Sequence, residues 1–291
     1  MSVLTTAAQG TAPSRRPRRT SILPTAVLLL GALYTLLPIV WLLIATTKTN
    51  TQLNSMAPFR PGGSFLTNFD GLTSYDGGVF WTWLLNTALY AGGGAILSAM
   101  VSAMAGYGFA KYRFRGKGFL FTMILIGMLV PVVMLAVPQY LVAAKIGWAN
   151  TYWSVLIPSV LSPYGIYLAR IYAGASVPDE VLEAARMDGS PEWRTFLRVS
   201  LPMMTPGLVT IFLFQFVAIW NNFLLPWLML SSENKYPLTV GLFTLLDAGT
   251  SQPSLYSLVI TGALLSILPL MLLFFLLQRF WRVDLTAGSV K

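Results

Sequence analysis

The residues with the most chemical character sit in one short stretch. It reads Glu183-Ala184-Ala185-Arg186-Met187-Asp188-Gly189, then nine residues, then Val199-Ser200-Leu201-Pro202. Acids, bases and a glycine crowd here between long apolar runs. The chain has no cysteine and no histidine, which excludes thiol chemistry, disulfides, histidine metal ligands and Ser-His-Asp triads. It also lacks GxxxxGK[ST], and Gly116-Lys117-Gly118 is only part of a basic loop, so nothing here cradles a nucleotide phosphate. The chemistry open to the stretch is docking: a charged, water-exposed segment that touches something soluble.

Local signals give this island a shape. Ser176 is placed to cap a first helix, with Pro178 in its first turn and Asp179 and Glu180 complementing the positive helix end. Val181, Leu182 and Ala185 share a face by i, i+3/i+4 spacing. Gly189 is the expected stop. Ser190 is placed to cap a second helix with Pro191 in its first turn and an apolar face of Trp193, Phe196 and Leu197, and Pro202 and Pro206 are expected to end it. The result is a helix–Gly–helix whose apolar side needs a partner.

The elements that hold the island are membrane spans. Of the 291 residues, 55% are hydrophobic and only 10% charged, against about a quarter charged in soluble domains. Six stretches reach the roughly 20 residues that cross a hydrocarbon core: 22–46, 84–108, 119–143, 151–172, 204–230 and 256–279. The second is expected to break at the glycines 92–94. The expected fold is therefore an all-α integral membrane protein of six transmembrane helices. Fifteen Lys and Arg fall in the tails and in the connections after spans two and four, and four fall elsewhere, so the positive-inside rule puts both termini in the cytoplasm. The net charge of +9 is thus a topology signal, with membrane lipid as the surroundings and no nucleic acid as partner. Residues 1–21 read as a disordered cytoplasmic tail, 22–279 as the transmembrane domain with the island at about 176–202, and 280–291 as a second cytoplasmic tail. The connection 47–83 is expected to form a small cap with short helices, and no internal repeat is evident.

The spaced pattern Glu183-Ala184-Ala185, Gly189, Val199, Leu201 and Pro202 resembles the EAA-x3-G-x9-[I/V]-x-L-P loop of permease subunits of bacterial ABC importers. Asp188, Phe196 and Pro206 resemble the carbohydrate branch, the maltose-transporter MalG-like subunits. So do Trp220-Asn221-Asn222-Phe223-Leu224 beside W-N-D-F-L, and Leu285-Thr286-Ala287-Gly288-Ser289-Val290-Lys291 beside L-T-A-G-x-V-K. Asn222 stands where that motif commonly has an acid.

The resemblance implies a type I ABC importer permease of the bacterial plasma (inner) membrane, not an enzyme. Its implied partners are a second homologous permease, two cytoplasmic ATP-binding subunits and an extracytoplasmic solute-binding protein. Cofactors are none on this chain, with ATP and Mg on the ATPase subunits. It makes Leu182, Glu183, Ala184, Ala185, Met187, Asp188 and Gly189 the energy-coupling surface, and Thr286, Ala287 and Gly288 a tail contact with the ATPases. Sugar sites use aromatic faces and amides, which marks Asn86, Tyr90, Gln139, Tyr140, Tyr164, Gln215, Trp220, Asn221 and Asn222 as candidates along the pathway. The implied cargo is a di- or oligosaccharide. An ABC permease for another solute, such as glycerol 3-phosphate, and an ATP-independent secondary carrier remain the alternatives. Against the carrier stands the lack of intramembrane carboxylates.

Overall fold

The computed structural model describes residues 22–249, 251–252 and 255–287, with side chains as far as Phe280. The described residues are helical with no strand. Four helices are long and apolar enough to cross a membrane, and the count reaches six if each of two sharply bent pairs is one crossing. The N-terminal tail 1–21 lies outside the described residues.

Helix α1 (Ile22–Ala45) is apolar all round and mostly exposed, and it touches α16 (Tyr256–Ala287). The connection after it forms two short helices, α2 (Asn50–Ser55) and α3 (Phe65–Ser74), as the sequence implies. A capping box of Thr49 and Gln52 starts α2. Lys48 is buried, and its ammonium donates to the carbonyls of Ala57 at 2.9 Å and Pro58 at 3.0 Å. Asn68 of α3 donates to the carbonyls of Thr46 and Lys48, which fixes this segment against the end of α1.

The glycines 92–94 do not break the second apolar run. Helix α4 (Val79–Ala88) passes through a π turn at Leu89–Gly93 into α5 (Gly94–Lys111) without an end. Glycine in a membrane helix has a second use, the close approach of a neighbour. Small residues repeat every four positions on α5 (Ser98, Ser102, Gly106) and on α9 (Pro163–Ser176: Gly165, Ala169, Ala173). The two rows lie against each other. A Cβ on Gly106 would collide with Ala169 and the Arg170 backbone, and one on Gly165 would collide with Ser102.

The third expected span is two helices, α6 (Lys117–Leu129) and α7 (Val132–Lys145), bent by 104°. Val130 is extended, as the residue before a proline prefers, and Pro131 then starts α7. The fourth divides at Leu161–Ser162 into α8 (Tyr152–Val160) and α9, where the Ser162 hydroxyl caps the Gly165 N–H. The fifth is α13 (Thr205–Trp220), which ends at Asn221 and restarts as α14 (Leu224–Met229). After it, α15 (Leu238–Ala248) packs between α4 and α16.

Candidate functional site

The island forms α10 (Asp179–Met187), α11 (Glu192–Thr195), a π turn at Phe196–Ser200 and α12 (Leu201–Met203). Its stop is the one the sequence implies. Gly189 has φ +73°, its N–H donates to Arg186 O, and the Ser190 N–H reaches back to Ala185 O. That pair of bonds is the Schellman arrangement, and it requires a left-handed residue at this position. Several expectations need correction. Ser176 belongs to α9, and Pro178 stands at the N-cap of α10. Pro191, not Ser190, occupies the cap of α11. Pro202 does not end its helix. It cannot donate to a carbonyl of the preceding turn, and the π turn before it, closed by Leu201 N–H to Phe196 O, absorbs the mismatch. The bend comes at Met204, 80° between the island helix and α13.

The apolar side of the island divides in two. Leu182, expected on the outward surface, is 3% exposed and packs with Phe196, Tyr107 and Val177 inside this chain. It holds the island on rather than facing outward. Ala185 is half-buried. What faces out is Val181, Met187 (88% exposed), Trp193 (63%) and Leu197, with Glu183, Ala184, Asp188 and Gly189 exposed among them. Exposed large apolar groups beside charges are what an interaction surface presents.

Two polar contacts fix the island to the end of α5. The Lys111 ammonium meets Asp179 Oδ1 at 2.7 Å, and the Tyr112 hydroxyl donates to Glu192 Oε2 at 2.7 Å. Arg186 Nε holds the other oxygen of Glu192 at 2.7 Å. Lys111 therefore keeps the Asp179 carboxyl below the usual carboxylate range, and Arg186 followed by Tyr112 does the same for Glu192. Burial, then Glu192, pushes the Tyr112 phenol up. Sequence reading missed both anchors. Lys111 counted only as a topology charge, and partners 68 and 80 residues away leave no local signal.

A second feature lies where the three interruptions meet. A cleft of about 630 Å³ is lined by Val130, Leu161, Ser162, Asn221, Asn222 and Phe223 from the breaks themselves, together with Gln139, Tyr164 and Gln215. Irregular backbone at membrane depth is tolerated where it lines a cavity. Gln215 Nε2 donates to Ser162 Oγ at 2.6 Å, and Asn221 Nδ2 donates to Val217 O at 2.8 Å. Among the described residues, Gln215 Oε1, Asn221 Oδ1, Asn222 Nδ2 and the whole Gln139 amide have no partner, and no lining residue carries a formal charge.

Four expected pathway residues are elsewhere, three of them buried. Asn86 is buried, donating to the carbonyls of Asn234 and Tyr236 and accepting from the Tyr152 hydroxyl. Tyr90 is buried with its hydroxyl on Lys235 O. Trp220 is buried, stacked on Phe216, with its indole N–H on Ser266 O at 3.2 Å. Their polar atoms serve packing between helices. Tyr140 is exposed and lies outside the cleft.

Residues 95–282 match the family described as binding-protein-dependent transport system inner membrane component. The chain belongs to this family. The permease is 33% identical over 281 residues to the arabinooligosaccharides transport system permease protein AraQ of Halalkalibacterium halodurans, covering 94% of this chain and 99% of that one. It is 32% identical to the lactose transport system permease protein LacG of Rhizobium radiobacter, covering 95% and 98%. A crystal structure of a bacterial ABC transporter involved in import of the acidic polysaccharide alginate has a chain of the same fold. Its TM-score is 0.78 at 24% identity, over 93% of the permease and 99% of that chain. The permease is thus a carbohydrate-uptake ABC transport subunit of the inner membrane, not an enzyme. In its tail, Thr286 and Ala287 fall in the last turn of α16, and Gly288 lies outside the described residues.

Proposed function

We propose that this chain supplies half of the translocation pathway of a binding-protein-dependent importer for a neutral di- or oligosaccharide. In this reading it crosses the membrane six times with both termini in the cytoplasm. It pairs with a second permease and two ATP-hydrolysing subunits, receives solute from an extracytoplasmic binding protein, and docks its island in a groove on one ATP-hydrolysing subunit. ATP and Mg act on those subunits. The tail through Thr286, Ala287 and Gly288 reaches toward them.

The observation that carries the reading is the cleft. Broken membrane helices around a mid-membrane cavity are a recurrent way to build a transport site. Amides inside it that no protein group engages can donate to and accept from solute hydroxyls. Tyr164, held edge-on by Phe214, adds an aromatic surface for sugar C–H groups. An anionic solute would find no lining cation to balance it. The energy source fits as well. The chain has no nucleotide-binding loop, and its island shows an exposed apolar set that a groove on a partner can cover.

The test is solute uptake by the complete transporter in liposomes. Gly189→Asp or Glu183→Lys should abolish uptake while the chain still inserts and copurifies with its partners. Normal uptake by both refutes the coupling role of the island. Asn222→Ala or Gln215→Ala should lower uptake with ATP hydrolysis retained, and unchanged uptake in both removes the cleft from the pathway.

A further inference from the structure

Covalently, the island joins only α9 before it and α13 after it. Its strongest polar contacts lead instead to α5. Lys111 is the last residue of α5 and Tyr112 its C-cap, and the two meet Asp179 and Glu192, one on each island helix. Lys117 Nζ holds the carbonyl of Tyr112, and the Tyr107 ring packs edge-on against Tyr112 and leans on Phe196 of the island. The inner end of the helix is thus gripped on both sides of Gly189.

The other end of the same helix grips a different segment. Asn86 donates to the carbonyls of Asn234 and Tyr236 at 2.9 and 3.1 Å, and Tyr90 donates to Lys235 O at 3.0 Å. Thr87 Oγ1 accepts the Leu238 N–H at 2.6 Å. The next residue, Thr239, donates to Asn222 O at the break that lines the cleft. Twenty-five residues separate Asn86 from Lys111. At 1.5 Å per residue the helix carries a displacement about 38 Å, more than a hydrocarbon core of about 30 Å.

From this geometry we infer that Lys111 and Tyr112 are positioning residues of the coupling island, and that the helix from Asn86 to Lys111 acts as a rod carrying island movement to the 234–239 segment and the Asn222 break. The inference rests on the coupling role proposed above for the island. It adds a route: the stroke reaches the far rim of the cleft through α5, not only through the covalently attached α9 and α13. The physical warrant for coupling is an element that both sites bias. Here each end of one helix is tied by named contacts to one of the two sites.

The test uses the complete transporter in liposomes and reads solute moved per ATP hydrolysed. Lys111→Met combined with Tyr112→Phe should lower that ratio about fivefold or more, the factor that about 1 kcal/mol of lost positioning contact carries. Lys111→Arg, which keeps the ion pair, should hold the normal ratio. The charge exchange Lys111→Asp with Asp179→Lys should recover most of what Lys111→Asp alone loses. At the far end, Asn86→Leu should lower the ratio with copurification of the partners unchanged. A normal ratio in the Lys111→Met/Tyr112→Phe transporter overturns the rod, as does failure of the exchange to recover any coupling. Gly189→Asp separates the two ideas. If it still abolishes uptake while the rod variants are normal, the island couples by another route. If it and Glu183→Lys are silent too, the coupling reading itself fails.

Discussion

Replacing Gly189 gives the most discriminating test of the island. Its φ of +73° lies in the left-handed region, and nothing in this chain stands within 4 Å of where a Cβ would be built. The penalty for a side chain is therefore backbone strain alone. For alanine that strain is about 1–2 kcal/mol. The alternative for the chain is to unwind the end of α10 and lose the Gly189–Arg186 and Ser190–Ala185 bonds, at about 0.5–1.5 kcal/mol each. The cheaper route sets the cost, so Gly189→Ala should destabilise the helix end by about 1–2 kcal/mol, a factor of roughly 5–30. Asparagine tolerates this conformation better and β-branched residues worse. Hydrogen exchange at the Ser190 amide should therefore speed up in the order Asn, Ala, Val, and uptake should fall in the same order. An exchange series that ignores this order refutes the strain argument. If Asn impairs uptake as much as Val while exchange stays ordered, the glycine serves close approach of a partner's backbone instead.

Three further outcomes follow from the same geometry. Gly106→Leu should separate α5 from α9, since even a Cβ collides with Ala169; overpacking costs about 1–3 kcal/mol or more, read as a lower midpoint in thermal aggregation of the detergent-solubilised complex. Trp220→Phe should lose the bond to Ser266 O and part of the buried packing on Phe216, about 1–3 kcal/mol of stability, and leave uptake affinity unchanged; a large rise in the solute concentration for half-maximal uptake would return Trp220 to the pathway. Asp179 and Glu192 have carboxyl pKa values lowered by folding, so their contribution is present above the unfolded value near 4 and is lost as pH falls through the folded values. Exchange protection across residues 179–195 should hold at pH 7 and weaken below about pH 4, and protection insensitive to acid would show that the two clamps do not hold the island.

Much of the architecture is written in local signals. The first apolar run becomes α1 almost to the residue, and Gly189 ends α10 as its flanking pattern implies. What the sequence conceals depends on neighbours. Pro131 and Pro138 both sit in the third apolar run, yet only the first ends a helix; Pro138 stays inside α7. Glycines 92–94 suggest weakness in isolation, but tertiary packing keeps that helix continuous. Amphipathic spacing placed Leu182 on an apolar face correctly, without saying whether this chain or a partner covers it. Among the amide candidates, Gln139, Gln215, Asn221 and Asn222 reach the cleft and Asn86 does not. The difference is whether a backbone carbonyl from a distant segment arrives first.

The row of small residues between α5 and α9 also decides which parts of the molecule are able to move. A seam of Ser, Ala and Gly brings the two backbones so close that a Cβ on Gly106 or Gly165 would collide, so the pair is a weld against bending, and a stroke carried along α5 must be taken up at other joints. Of the joints left, those at residues 130–131, 161–162 and 221–223 border the same cleft, and the bend at Met204 joins α13 to the island instead. In the proposed reading, motion and solute contact thereby fall on one set of positions. A substitution there that widens the range of sugars accepted should also alter the speed of the cycle, whereas the weld confines changes in stability to a separate part of the sequence.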